Sequence, residues 1–166
     1  MKKSIVSILA AALICTAFTG CGNGSESSTP NAPNAENSVA EKSFDERTAA
    51  VLDAVDISKN EMVSVSKDTV KARFGVEEDD VAELSAYICA SGAKPDEFGV
   101  FRAKDADAAK RIEEALTKRM EHQRKTFQDY TPGEMYKFDG SFVDLRGDVV
   151  IYAICADNST AKELLK

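Results

Sequence analysis

The chain has no tryptophan, one histidine and only four prolines in 166 residues, and its 28 acidic side chains outnumber 21 basic ones, for a formal charge of −7. A lone histidine, His122, excludes metal centres built from several histidines of one chain and the two-histidine helix motif of metallohydrolases. The acidic balance argues against nucleic acid as a partner and against electrostatic adhesion to anionic lipid. No glycine-rich phosphate loop, nucleophile elbow, Cys-x-x-Cys pair or haem-attachment sequence occurs, and no internal repeat is visible. No cofactor, metal or catalytic set is therefore expected from motifs.

Long apolar runs are equally scarce. The one present begins straight after Met1-Lys2-Lys3, extends from Ile5 to Phe18 and closes on Thr19-Gly20-Cys21. It is shorter than the about 20 residues a membrane-spanning helix needs. Two lysines, a short apolar segment and a small residue before cysteine make a secretory signal peptide over residues 1–20, with cleavage between Gly20 and Cys21. The box is similar to that of bacterial lipoproteins, with Phe18 where leucine is usual. Cys21 is the expected lipidation site, and acyl chains there, at about 0.8 kcal/mol per buried methylene, anchor a chain that has no polybasic patch. The expected location is the extracytoplasmic face of the cell membrane. Cleavage would remove Lys2 and Lys3 and no acidic residue, moving the formal charge from −7 to −9.

Residues 21–42 are rich in Asn, Ser, Pro, Ala and Glu, without apolar periodicity, and read as a disordered tether. Its roughly 20 residues give a reach on the order of 25 Å. Residues 43–166 have the size of one domain. Of the four cysteines, Cys15 leaves with the signal and Cys21 takes lipid; Cys89 and Cys155 remain, both in apolar, strand-like segments. A disulfide between them and a pair of buried free thiols are both open.

Ser43-Phe44-Asp45-Glu46 is a capping box and predicts a helix to about Val55. A second helix is expected from near Ser66 to Gly75, with Val70 and Phe74 inward. Alternation then predicts strands over Leu84–Ala90 and Phe98–Lys104, paired as a hairpin. From Ala106 a long helix presents Ala109, Ile112, Leu116, Met120 and Phe127 on one stripe. Thr131-Pro132-Gly133-Glu134 has the form of another capping box. Strands over Ser141–Arg146 and Asp148–Ala156 turn at Gly147, and a helix from Asn158 closes the chain. The expected class is α+β, a four-stranded mainly antiparallel sheet of two hairpins linked by the long helix, in the order α-α-β-β-α-β-β-α. Val149–Ile154, apolar on both alternating sets, is expected to be central, with the long helix on one sheet face and the amino-terminal helices on the other.

Certain segments carry a resemblance: Phe74-Gly75-Val76 with the acidic turn Glu77–Asp80, Ser91-Gly92-Ala93 before Val100-Phe101, Gln123–Phe127, Tyr130-Thr131-Pro132, and Gly147-Asp148-Val149-Val150. Together they make Val51–Ala156 similar to an uncharacterised bacterial lipoprotein domain, a domain-of-unknown-function family of small exported lipoproteins. The resemblance implies a location and a fold, and no chemistry.

Three clusters could still bind something. Glu77-Glu78-Asp79-Asp80 is a run of carboxylates, yet it lacks the alternating ligands and internal glycine of a calcium loop and reads as a helix-dipole complement. Lys118, Arg119, Arg124 and Lys125 could meet phosphate-rich wall polymers, although acidic neighbours offset them locally. Tyr87, Tyr130, Tyr136 and Tyr152 could form an aromatic surface if a sheet face were open. His122 reads as a solvated helix residue. The expected role is a non-enzymatic binding or assembly module of the cell envelope, attached to the membrane by its lipid and meeting an unknown envelope protein or wall component. The alternatives are a small hydrolase using paired carboxylates and a solute-binding accessory of a transporter.

Overall fold

The capping box forms as its chemistry requires: the Ser43 hydroxyl accepts the Glu46 N–H at 3.2 Å, and the Glu46 carboxylate accepts the Ser43 N–H at 2.8 Å. It opens helix α1 (Phe44–Ala54), the first element of a computed structural model that describes residues 41–166. The signal peptide, the Gly20–Cys21 junction, the lipidation site and the tether as far as residue 40 lie outside the described residues.

After α1 the chain forms strand β1 (Met62–Ser64), helix α2 (Val70–Phe74), strands β2 (Val81–Cys89) and β3 (Glu97–Ala103), helix α3 (Ala106–Tyr130), strands β4 (Phe142–Arg146) and β5 (Val149–Ile154), and helix α4 (Asn158–Leu164). The fold is α+β with one antiparallel sheet of five strands in the order β1-β2-β3-β5-β4. The sheet thus has one strand more than the four expected, and β1 enters the element order between the first two helices. Three residues are too few for a two-residue period to show, and β1 lies at the sheet edge with Val63 and Ser64 exposed, so no apolar alternation announces it. Its existence depends on pairing with Tyr87–Cys89, about 25 residues downstream.

The two expected hairpins join through an antiparallel β3–β5 ladder, which places Glu97 opposite Ile154 and Gly99 opposite Tyr152. β5 is buried on both alternating sets, as a strand covered on both faces must be. One layer, between the sheet and α3, packs Ile112 and Leu116 against Phe101, Val150, Tyr152 and Ile154. The other holds Phe44 and Val51 of α1 with Phe98, Val100, Ile151, Ala161 and Leu165. α2 does not join α1 as expected; its Val70 and Phe74 lie in the α3 layer, and α4 takes the place beside α1. The turn at Gly75 explains the first half of this. Its φ of +73° ends α2 in the left-handed region and sends the chain into β2 with Phe74 held under the sheet.

Gly99 is required for a different reason. A Cβ there would lie 2.5 Å from the Ala86 Cβ and 3.0 Å from the Ala86 Cα, so the β2–β3 pair closes only around a residue without a side chain. Past α3, the expected second capping box does not form: Pro132–Phe138 is a 3-10 segment with no cap bond from Thr131, and the Glu134 carboxylate turns to Lys137 at 2.7 Å.

A cationic groove between α2 and α3

Residues 111, 114, 115, 118, 119 and 122 recur at steps of three and four, one stripe of α3 lying beside the buried Ile112 and Leu116. Facing that stripe is the α2 end, Lys71 to Gly75. Between them opens a groove of about 430 Å³ with Lys71, Arg73, Arg111, Lys118, Arg119 and His122 on its walls and Glu114 as the lone acid. Arg111 and His122 are eleven residues apart, so the cationic side of α3 extends about 16 Å. Ala72, Phe74, Gly75 and Ala115 supply the apolar part of the lining. The volume falls within the range of roughly 300–1,000 Å³ common to small-molecule pockets.

Under the groove four residues from four elements meet. Glu97 of β3, 1% exposed, accepts two hydrogen bonds from Arg119 Nε at 2.9 and 3.0 Å and one from Nη2 at 2.5 Å. Tyr152 of β5 donates its phenol to the other side of the same carboxylate. The Arg119 guanidinium carbon lies 5.1 Å from the centre of the Phe74 ring, and Phe74 in turn meets Phe101 and Tyr152 edge-on at 5.4 and 6.0 Å. Burial works against the Arg119 charge, but the charge and hydrogen bonds of Glu97 prevail and hold its pKa above the ordinary arginine value. Burial and the neighbouring Glu97 both push the Tyr152 phenol well above the tyrosine range, so it stays a donor at any ordinary pH. Arg119 also forms the wall shared with a smaller cavity of about 150 Å³ bordered by Cys89, Lys94 and Gln123.

The remaining buried carboxylates are held in the same manner. Asp80, the inner end of the acidic run, accepts Arg111 at 2.9 and 2.6 Å, which holds its carboxyl below the usual range, whereas Glu77, Glu78 and Asp79 are exposed. Asp96 accepts buried Lys137 at 2.6 Å. The basic group on α3 is dispersed: Lys118 pairs with Glu114, Arg124 donates to the Phe138 carbonyl, and Arg119 alone turns into the protein. The tyrosines are dispersed too, Tyr152 in the core, Tyr87 stacked on Phe98 in the other layer, and Tyr130 and Tyr136 exposed. His122 is exposed, as expected for a solvated helix residue, and stands on the groove wall. Cys89 and Cys155 are free thiols. Cys89 N–H bonds the Asp96 carbonyl, and the β3–β5 register places Cys155 on the far side of Asp96, so two strand spacings of about 4.8 Å each part the cysteines. A disulfide tolerates no more than about 7 Å between Cα atoms, so the bridge left open by the sequence is not made.

Sequence reasoning reached Arg119 and His122 but not the groove, because Lys71 and Arg73 approach them only through the α2 docking. Glu97 gave one weak signal: an acid directly before the apolar run Phe98–Phe101, at the first position of β3.

Residues 55–155 match the family model described as Domain of unknown function (DUF4358). The chain belongs to this family. The matched segment contains β1 to β5, the whole groove and the Glu97–Arg119–Tyr152 network, while α1 and α4 fall outside it. No curated protein and no solved structure matches the chain. The DUF4358 domain is therefore carried here by the sheet and α3, with α1 and α4 as flanking cover on the opposite face. Among the described residues no helix is long and apolar enough to cross a membrane.

Proposed function

We propose that this DUF4358 protein is a lipid-anchored, extracytoplasmic, non-enzymatic binding module that takes an anionic ligand in the groove between α2 and α3. The observation that carries the reading is the groove itself, where five cationic side chains and a histidine line the walls beside one acid: Arg73 has no ion pair among the described residues, and Lys71, Arg111, Lys118 and Arg119 each have more N–H donors than their partners Glu77, Asp80, Glu114 and Glu97 take up. A surface that is acidic elsewhere repels anions, so a local concentration of positive charge in a concave site selects where an anion settles. The non-enzymatic part draws support from the three buried carboxylates among the described residues, Asp80, Asp96 and Glu97, each of which holds a cation and so lacks the freedom of a general acid or base. The location draws support from Lys2-Lys3, the short apolar segment and Gly20-Cys21.

Two experiments test the halves separately. Cells grown with an alkyne-bearing fatty acid should yield a labelled, membrane-associated protein, and Cys21→Ser should lose the label; unlabelled wild-type protein in the cytosolic fraction would end the anchoring claim. Arg73→Glu with Lys118→Glu reverses two exposed groove charges without touching the core, and should lower the affinity for the anionic probes benzoate and phenyl phosphate by about tenfold or more. Unchanged affinity would remove the groove from the function.

A further inference from the structure

A guanidinium has five N–H donors, and Arg119 commits only its Nε and one side of Nη2 to Glu97. Its Nη1 has no acceptor among the described residues, although the side chain is only 22% exposed and borders the groove. An ion pair serving the fold alone has no need of a fixed outer edge. This one is fixed thoroughly: the carboxylate behind it is itself fastened by the Tyr152 hydroxyl, and the Phe74 ring lies against it. Resting on the groove reading above, we propose that the outer edge of Arg119 is the ligand reader of this domain, that the ligand is a small organic acid whose oxyanion meets that edge, and that Glu97 and Tyr152 are positioning residues for it.

The chemistry follows from the lining. A planar guanidinium held along its Nε–Nη2 edge offers the adjoining Nη1–Nη2 edge to two oxygens of a carboxylate or phosphate, with little further cost in side-chain entropy because its rotamer is already set. The body of the acid would lie along Ala72 and Ala115 and the aliphatic stems of Lys71 and Lys118, which border the same space. Those lysines and Arg73 are exposed and add general attraction, whereas Arg119 adds direction. Glu97 on β3 and Tyr152 on β5 never reach the groove surface, so their contribution passes through the orientation of Arg119.

The test is a titration of the isotope-labelled full-length chain followed by nuclear magnetic resonance, with benzoate, phenyl phosphate and the neutral benzyl alcohol as probes. The anionic probes should shift the Arg119 Nε–H signal together with the backbone signals of Lys71–Gly75 and Arg111–His122, and benzoate should be preferred over benzyl alcohol by about tenfold or more. Comparison of benzoate with phenyl phosphate then assigns the oxyanion to the carboxylate or the phosphate class. Arg119→Lys should remove the preference, since a lysine cannot present the planar edge. Tyr152→Phe should reduce it by several-fold while leaving benzyl alcohol affinity unchanged; a residue with a purely structural part would scale both affinities alike. If the anionic probes shift the groove signals but the preference survives both variants, the reader assignment falls and the groove reading stands. If no probe shifts any groove signal, both fall.

Discussion

The Tyr152 phenol and the Glu97 carboxylate are joined by a hydrogen bond across two neighbouring strands, from positions 55 residues apart in the chain. They are diagonal partners on the β3–β5 ladder, since Glu97 lies directly opposite Ile154, and both point towards α3. A carboxylate this deep in the sheet is tolerable only with its lone pairs occupied, and Arg119, Tyr152 and, at 3.4 Å, Gln123 occupy them.

Glu97→Leu should lower the unfolding free energy by about 3–5 kcal/mol, because it leaves the Arg119 charge half-buried without its partner. Adding Arg119→Met should restore most of that loss, an apolar pair replacing an ionic one. Urea unfolding of the single and double variants measures the difference, and a double variant no better than the single one would mean that packing rather than charge dominates the site.

Gly99→Ala introduces a Cβ into the closest approach of the sheet and should cost about 1–3 kcal/mol through overpacking. Ala86→Gly on the facing strand removes the 2.5 Å contact and leaves the 3.0 Å contacts with the Ala86 Cα and the Ser85 carbonyl, so the pair of substitutions should recover part of the loss, less the glycine penalty of about 1 kcal/mol. Thermal denaturation of the three variants decides; a harmless single substitution would contradict the register of β2 on β3.

Leu116→Ala, in the middle of α3 and fully buried, should cost about 2–5 kcal/mol by leaving a cavity against the sheet. Thr117→Ala, exposed on the next position, should change stability by no more than about 0.5 kcal/mol. Denaturant midpoints compare the two directly.

Asp157 caps α4, accepting the Thr160 N–H at 3.0 Å and the hydroxyls of Thr160 and Ser159 at 2.7 Å, and these bonds bring its pKa down to about 2. A folded-state pKa below the unfolded one adds stability above the ordinary aspartate range that disappears as pH falls through about 2. Melting temperature should therefore decline between about pH 5 and pH 2, and Asp157→Ala should remove part of that decline while lowering stability at neutral pH. An identical acid limb in the variant would show that the cap contributes nothing.

Burial pushes the Cys155 thiol up to about 12, and its Sγ donates to Asn158 Oδ1 at 3.4 Å. Burial raises Cys89 as well, which is half-buried at the end of β2. With an aromatic disulfide reagent at pH 8, Cys155 should remain unmodified in the folded protein, Cys89 should react slowly, and both should react at once in denaturant. Peptide mapping distinguishes them, and fast labelling of native Cys155 would contradict its placement.

The sequence by itself determined the elements that announce themselves locally. Ser43 and Glu46 are three residues apart and need nothing else to start α1, Gly75 needs only its own backbone freedom to end α2, and the stripe from Ile112 to Phe127 states the face of α3. The alternation of Leu84–Ala90 likewise marks a strand with a buried face, and the unbroken apolar run Val149–Ile154 marks one covered on both faces. What depended on distant partners was decided only in three dimensions. β1 exists because Tyr87–Cys89 offers it a ladder, α2 crossed to the α3 layer because Phe74 packs on Phe101 and Tyr152, and the groove opened where that packing left Lys71 and Arg73 facing Arg119. Glu97, Arg119 and Tyr152 are 22 and 33 residues from one another in the chain, and a charge or a hydroxyl carries no mark of which partner it will meet. Periodicity and capping are local energies written into neighbouring residues; long-range pairing is chosen by the free energy of the whole packed sheet, so only the tertiary structure reveals it.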